Sequence, residues 1–326
     1  MTDTPHTSGS GPIGGPEGTR AGFVAIIGAP NAGKSTLVNR LVGQKVSIVT
    51  KKVQTTRFPV RGVAMAGEAQ IVLVDTPGVF TPRRRLDRAM VRSAWAGAEG
   101  AEVIVHLVDA EAEMAVAEKT ATSAQKRCVQ DAETIVEGLK ASGRKAILAL
   151  NKIDMVKRDK LLAIAEAQFA TSVYDQVFMV SGQNGSGVED LRKRLAELMP
   201  EGPWLYPADQ TADIPSRLLA AEITREKIYL RVHEELPYAA AVETTDFKEQ
   251  KNGIRIEQTI YVEREGQRAI VLGENGQTLK WIGSKSREEL AEILGQPVHL
   301  FLHVKVIENW QEQRAFYRDT GLDFDV

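Results

Sequence analysis

The sequence predicts an α/β fold, a mostly parallel sheet with helices on both faces, followed by a small α+β domain. Three observations predict it. Short apolar runs alternate with helix-length stretches over residues 21–200, a glycine-rich loop joins the first run to the first helix, and the pattern changes after a proline-rich segment. A chain of 326 residues accommodates about two domains. With 43% apolar and 26% charged residues the composition is that of an ordinary globular protein, and a net charge of −2 steers no partner by itself.

Taken in order, residues 1–20 are rich in Gly, Pro, Ser and Thr and lack an apolar run, which predicts a disordered tail and excludes a signal peptide. Nowhere is an apolar run long enough to cross a bilayer. A single cysteine, Cys128, leaves no intramolecular disulfide and suits a reducing cytosol; it reads as a helical residue without chemistry. Residues 23–28, 71–75, 103–109, 145–150 and 176–181 read as buried strands, His106 being a strand residue of the third. Residues 111–142 read as one long helix or two short ones, and 188–199 as a helix with Leu191, Leu195 and Leu198 on one face.

The loop after the first strand reads Gly28-Ala29-Pro30-Asn31-Ala32-Gly33-Lys34-Ser35 and leads through Thr36 into a helix. In a G-x-x-x-x-G-K-S loop the glycines let consecutive backbone N–H groups face phosphate oxygens, Lys34 adds a positive charge, and the helix dipole adds to the field. Ser35 is the expected Mg²⁺ ligand. The next strand ends in Asp75-Thr76-Pro77-Gly78, where Asp75 would hold Mg²⁺ through water and the Gly78 N–H would meet a γ-phosphate. Between them lies Gln54-Thr55-Thr56-Arg57, in which Thr56 rather than Thr55 is the candidate to close over the metal. Asn151-Lys152-Ile153-Asp154 ends a fourth strand, and Asp154 can accept from the ring N–H and the amine of guanine together. Ser181-Gly182 could contact the base through backbone. These spacings point to GTP and GDP as ligands and to a P-loop GTPase domain at 21–200.

Pro200, Pro203, Pro207 and Pro215 mark a linker at 201–215, since proline lacks the N–H a helix needs. Beyond it, residues 216–326 read as helix (216–233), strand (238–245), strand (254–264), helix, the loop Gly273-Glu274-Asn275-Gly276, helix (286–294) and strand (298–307). A helix, G-x-x-G, helix unit in the order α-β-β-α-α-β looks like a type II KH domain, which clamps single-stranded nucleic acid. Lys280, Lys285 and Arg287 follow the loop as candidate RNA contacts, and Trp310 with the tail to 326 either completes a nucleotide contact or caps the domain.

The order of motifs resembles the translation-factor-related GTPases, and with one KH module behind it the chain is similar to the Era family over most of residues 21–310. Supporting strings are residues 28–36, Gln54-Thr55-Thr56-Arg57, Val262-Glu263-Arg264-Glu265-Gly266-Gln267 and Pro297-Val298-His299-Leu300. The resemblance implies GTP hydrolysis with Mg²⁺, binding of the single-stranded 3′ end of small-subunit ribosomal RNA, and work on the pre-ribosomal small subunit in the cytoplasm. It also implies attachment to the inner face of the membrane, although no segment shows it, and no feature calls for more than a monomer. Measured against the family, 111–142 reads as an insertion facing solvent.

Three departures stand out. Glu274 and Asn275 occupy the variable pair of the G-x-x-G loop where a basic residue is usual, and residues 213–326 carry fifteen Lys and Arg against twenty Asp and Glu. Gly182 replaces the usual Ala, a change expected to matter little. Val79 follows D-x-x-G where many GTPases use Gln to orient water, so intrinsic hydrolysis is expected to be slow. In related GTPases with an Asn at the position of Asn31, K⁺ at the β- and γ-phosphates supplies the missing charge, which makes Asn31, Lys34 and Thr56 the catalytic candidates. Arg57, Arg83, Arg84 and Arg85 are available as arginine fingers in cis or as RNA contacts. An alternative reading is a GTP-gated RNA-binding module whose slow hydrolysis is incidental.

Overall fold

The computed structural model describes residues 18–50, 52, 54–232, 236–318 and 320–326. The N-terminal tail up to residue 17 and His233, the expected end of a helix, lie outside the described residues. The chain divides into two compact units. The first comprises residues up to 46, 60–76 and 96–213; the second comprises 47–59, 77–95 and 214–326.

In chain order the elements are β1 (Arg20–Gly28), α1 (Lys34–Val42), β2 (Val60–Ala66), β3 (Ala69–Asp75), α2 (Arg85–Glu99), β4 (Val103–Asp109), α3 (Ala110–Ala117), α4 (Ser123–Ser142), β5 (Ala146–Asn151), α5 (Arg158–Phe169), β6 (Tyr174–Met179), α6 (Val188–Leu198) and β7 (Ala212–Asp213). The seven strands form one sheet in the order β6-β5-β4-β1-β3-β2-β7. Five are mutually parallel, while β2 runs antiparallel to both β3 and β7. The sequence reading missed β2 and β7. Val60–Ala66 mixes Arg61, Gly62 and small residues, so it lacks the continuous apolar run of a central parallel strand, and β7 is two residues long within the expected linker.

Side chains alternate across the sheet. Val24, Ile26, Val105, Leu107, Ile147 and Ala149 meet Leu37, Val38 and Leu41 of α1 and Leu191 and Leu195 of α6 in one core cluster. Helix α4 packs against β1 and β4. It buries Val129, Ala132, Ile135, Val136 and Leu139, so residues 111–142 form two helices of which the second is part of the core, not an insertion facing solvent. Its start is fixed by a capping box between Thr122 and Gln125.

The second unit continues with α7 (Ser216–Arg231), β8 (Ala241–Gln250), β9 (Gly253–Val262), α8 (Glu265–Leu272), α9 (Gln277–Leu294), β10 (Val298–Val306) and α10 (Ala315–Arg318). Its three-stranded sheet has the order β10-β9-β8, with β9 and β10 parallel and β8 and β9 antiparallel. The α-β-β-α-α-β order stands as read. Helix α9 begins at Gln277, nine residues earlier than position 286 expected from the sequence, because Gly276 serves as its N-cap in a left-handed conformation. Residues 47–59 lie in this unit against α7: Glu226 Oε1 accepts from the Val49 N–H at 2.9 Å, Arg225 donates to the Thr55 carbonyl, and Lys52 Nζ donates to the Val232 carbonyl.

Candidate functional site

In the first unit the ends of β1, β3, β5 and β6 carry the motif residues, as expected where loops of an open parallel sheet gather at the carboxyl ends of its strands. The loop between β1 and α1 turns through two left-handed residues, Asn31 (φ 64°) and Gly33 (φ 98°). A Cβ on Gly33 would overlap the Asn151 amide, and one on Gly28 would lie 2.6 Å from the Leu107 carbonyl. Both glycines are therefore required by close approach, and Gly33 by its left-handed backbone as well. Ala29, Pro30 and Ala32 complete the turn, and Ser35 and Thr36 belong to the first turn of α1.

Lys34 is buried, and its Nζ donates to the carbonyls of Gly28 at 3.1 Å and Ala29 at 2.9 Å. Burial pushes its pKa down to about 8 against the opposing pull of Asp75. Ser35 Oγ donates to Asp75 Oδ2 at 2.7 Å, and Asp75 is fully buried. A hydroxyl beside a buried carboxylate is an all-oxygen donor pair that suits a hard divalent cation such as Mg²⁺. Thr76 Oγ1 donates to the Ile26 carbonyl at 2.8 Å, locking the end of β3 onto β1.

Asn151 is the residue whose role the motif reading missed. Its Nδ2 donates to Ala32 O at 2.7 Å, and its Oδ1 accepts from Gly182 N at 2.9 Å, so one buried amide joins the phosphate loop to the Ser181-Gly182 loop. The signal in the sequence is an Asn followed at +3 by Asp, a pattern that by itself points only to the base. Lys152, in a left-handed conformation, pairs with Asp109, which also caps α3 by accepting from Glu111 N and Ala112 N. Ile153 and Asp154 stand on the short 3₁₀ turn that follows β5, and Asp154 is exposed. Ser181 is fully buried, and its Oγ accepts from Asn184 N at 3.1 Å. The substitution at Gly182 is tighter than expected, since an added Cβ would lie 3.2 Å from Leu37 N and 3.4 Å from Leu37 Cα.

Thr56 is buried in the second unit, as are Pro77, Gly78 and Val79. The guanidinium of Arg57 is committed within that unit: it donates to Ala240 O at 2.8 Å and Tyr238 O at 3.1 Å and stacks over Trp310. It is thus a structural cation rather than a finger. Trp310 is itself buried and donates to Ala239 O at 2.8 Å, which makes it a cap of the domain. Cys128 lies on α4, as read from the sequence, with its thiol pushed up to about 12 by burial.

The G-x-x-G loop joins α8 to α9 through Gly273 (φ 72°), Asn275 (φ 51°) and Gly276 (φ 76°), and a Cβ on Gly273 would overlap the Thr278 side chain. Glu274 and Asn275 are exposed. Lys280 and Arg287, seven residues apart, share a helix face and are exposed. Lys285 lies about 140° round the helix from Lys280. It is paired with Glu288 at 2.6 Å, so the three cations do not form one face.

A phosphate loop, D-x-x-G and N-K-x-D at the ends of β1, β3 and β5, a Ser–Asp oxygen pair between the first two, and a KH module later in the chain define a GTPase carrying a KH domain. Residues 23–152 match the model of the 50S ribosome-binding GTPase family, and residues 235–311 match the KH domain model. GTPase Era of Caulobacter vibrioides is 72% identical over 94% of this chain and 98% of its own length, and that of Maricaulis maris is 60% identical over the same shares. Among solved structures, Era in complex with MgGDPNP and nucleotides 1506–1542 of 16S ribosomal RNA is similar with a TM-score of 0.82 at 37% identity, covering 93% of this chain and 99% of that one. Aquifex aeolicus Era bound to GDP and AlF4⁻ is similar with a TM-score of 0.81 at 36% identity and the same coverage. The chain belongs to the Era family of GTPases and hydrolyses GTP to GDP and phosphate.

Proposed function

We propose that the chain couples GTP hydrolysis to binding of the single-stranded 3′ end of small-subunit ribosomal RNA and acts in assembly of that subunit. The hydrogen bond from the partly buried Ser35 to the fully buried Asp75, at 2.7 Å, is the observation that carries the nucleotide half, because a carboxylate buried so deeply calls for a cation or strong donors around it. In this reading residues 28–36 bind phosphate, Thr76, Pro77, Gly78 and Val79 belong to the γ-phosphate segment, and residues 151–154 with Ser181 and Gly182 bind guanine. Ser35 would hold Mg²⁺ directly and Asp75 through water, with Thr56 the candidate third ligand. The bound ion would neutralise charge on the β- and γ-phosphates, as in other GTPases. Lys34 leaves the Gly28 and Ala29 carbonyls for phosphate oxygens, and its ammonium is worth most in so buried a place.

The Val79 side chain has no hydrogen-bonding group to orient water, which supports a slow intrinsic rate and a charge supplied from elsewhere. We assign that charge to K⁺ near Asn31, whose left-handed backbone turns the loop at that point. For the RNA half, the support is the left-handed Gly273-to-Gly276 loop capping α9 and the RNA held by the similar Era structure. Among the described residues no helix is long and apolar enough to cross a membrane. GTP turnover by Ser35→Ala and Asp75→Asn tests the metal reading: activity lost at low Mg²⁺ and partly restored at high Mg²⁺ supports it, and loss insensitive to Mg²⁺ contradicts it.

A further inference from the structure

The arginine run that begins α2 and the end of the chain are not used by the reading above, and within the second unit they lie against each other. Arg85, Arg88 and Arg92 fall at i, i+3 and i+7 on one face of α2. Arg85 Nε binds Glu312 at 2.8 Å and its NH1 donates to Phe324 O at 3.1 Å. Arg88 donates to Val326 O at 3.2 Å, and Arg92 pairs with Asp323 at 3.2 Å. The Phe324 ring lies against two guanidiniums, with Arg85 Cζ 4.5 Å and Arg314 Cζ 4.9 Å from its centroid, and meets Tyr317 edge-on; Arg314 also pairs with Asp325 at 2.7 Å. Arg83 and Arg84 are exposed beside this face.

Asp323-Phe324-Asp325 thus presents an acid, an aromatic ring against guanidiniums, and a second acid. A single-stranded nucleotide offers the same sequence of groups: phosphate, base, phosphate. Arginine suits both parts, forking onto phosphate oxygens and stacking on a planar ring. The ion pairs are half-exposed surface contacts, each weak, so an anion of higher charge density can displace them.

We propose that the Arg85, Arg88, Arg92 and Arg314 face is a second single-strand RNA site, distinct from the G-x-x-G loop, and that residues 323–326 occupy it as an intramolecular nucleotide mimic that RNA must displace. The proposal rests on the RNA-binding reading above, and three of the four arginines come from α2, outside the net-acidic stretch 213–326.

The test uses the full chain and a twelve-nucleotide RNA from the 3′ end of small-subunit ribosomal RNA, with affinity read across a salt series. The triple variant D323N/F324A/D325N is expected to bind about tenfold more tightly at low salt, with a salt slope steeper by about two phosphate contacts. Adding Arg88→Gln and Arg92→Gln should remove that gain. Adding Gly276→Asp instead should weaken binding overall while leaving the gain in place. A triple variant with unchanged affinity and slope overturns the second site while leaving the RNA reading intact, and a gain that survives loss of Arg88 and Arg92 overturns it as well. RNA binding by none of these proteins would overturn both. Hydrogen exchange on the unmutated chain gives an independent readout: RNA should speed exchange at residues 321–326, and slower or unchanged exchange there contradicts displacement.

Discussion

Asn151 binds Gly182 N through its Oδ1 at 2.9 Å while its Nδ2 holds Ala32 O at 2.7 Å, so the amide that opens the N-K-x-D motif spans the phosphate loop and the base loop. Removing it strands two buried backbone groups. Asn151→Ala should therefore destabilise the protein by about 2–4 kcal/mol and weaken GTP and GDP alike. Thermal melting with and without nucleotide checks this; a variant weakened only toward guanine nucleotides, with normal stability, would return Asn151 to a base-reading role.

The proposed reading gives base choice to Asp154, which is exposed. Asp154→Asn should shift preference from guanine toward xanthine nucleotides by roughly a hundredfold, since the amide inverts the donor pattern the ring must meet. Lys34→Ala should weaken triphosphates whatever the base. Competition binding with GTP, XTP and ATP separates the two.

Gly33 is the least replaceable residue of the phosphate loop, having both a left-handed backbone and no room beside the Asn151 amide. Gly33→Ala should abolish nucleotide binding, whereas Gly182→Ala needs a shift of only a few tenths of an ångström from α1 and should cost less than about 1.5 kcal/mol. Isothermal titration of the two variants checks the ranking.

Burial lowers Lys34 from 10.5 to about 8. The unfolded chain therefore binds more protons there between pH 8 and 10.5, and the contribution of this group to stability rises with pH across that window and is lost as pH falls through about 8. Phosphate selects the charged amine, so nucleotide affinity should run the opposite way and weaken as pH rises above about 8, with proton uptake on binding. Calorimetry in buffers of different ionisation enthalpy measures that uptake, and Lys34→Met should abolish it.

The legibility of this chain in its sequence follows from where its constraints are local. The phosphate loop, D-x-x-G and N-K-x-D were readable because each packs its chemistry into a few consecutive residues flanked by apolar runs. β2 escaped because it is antiparallel and only partly buried, and the start of α9 escaped because it depends on the left-handed turn at Gly276. The core role of helix α4 is hard to read because its Ala-, Glu- and Lys-rich composition hides the stripe of Val129, Ala132, Ile135, Val136 and Leu139. Long-range pairings such as Arg57 with Ala240 or Arg88 with Val326 leave no local trace at all.

Gly276→Asp separates the two halves of the protein. With φ at 76°, the position strains any side chain, and a carboxylate there adds repulsion where RNA phosphates are expected. RNA affinity should fall at least tenfold while GTP binding is retained; loss of both would mean that the two activities do not belong to separate units.

The central claim, that hydrolysis is coupled to ribosomal RNA, is tested most directly by GTP turnover with and without the twelve-nucleotide 3′-end RNA, in potassium and in sodium buffer. The account predicts turnover raised more than tenfold by RNA and higher in potassium. Turnover unchanged by RNA in both salts, with RNA affinity shifted by nucleotide, would contradict it and leave a GTP-gated binder in its place.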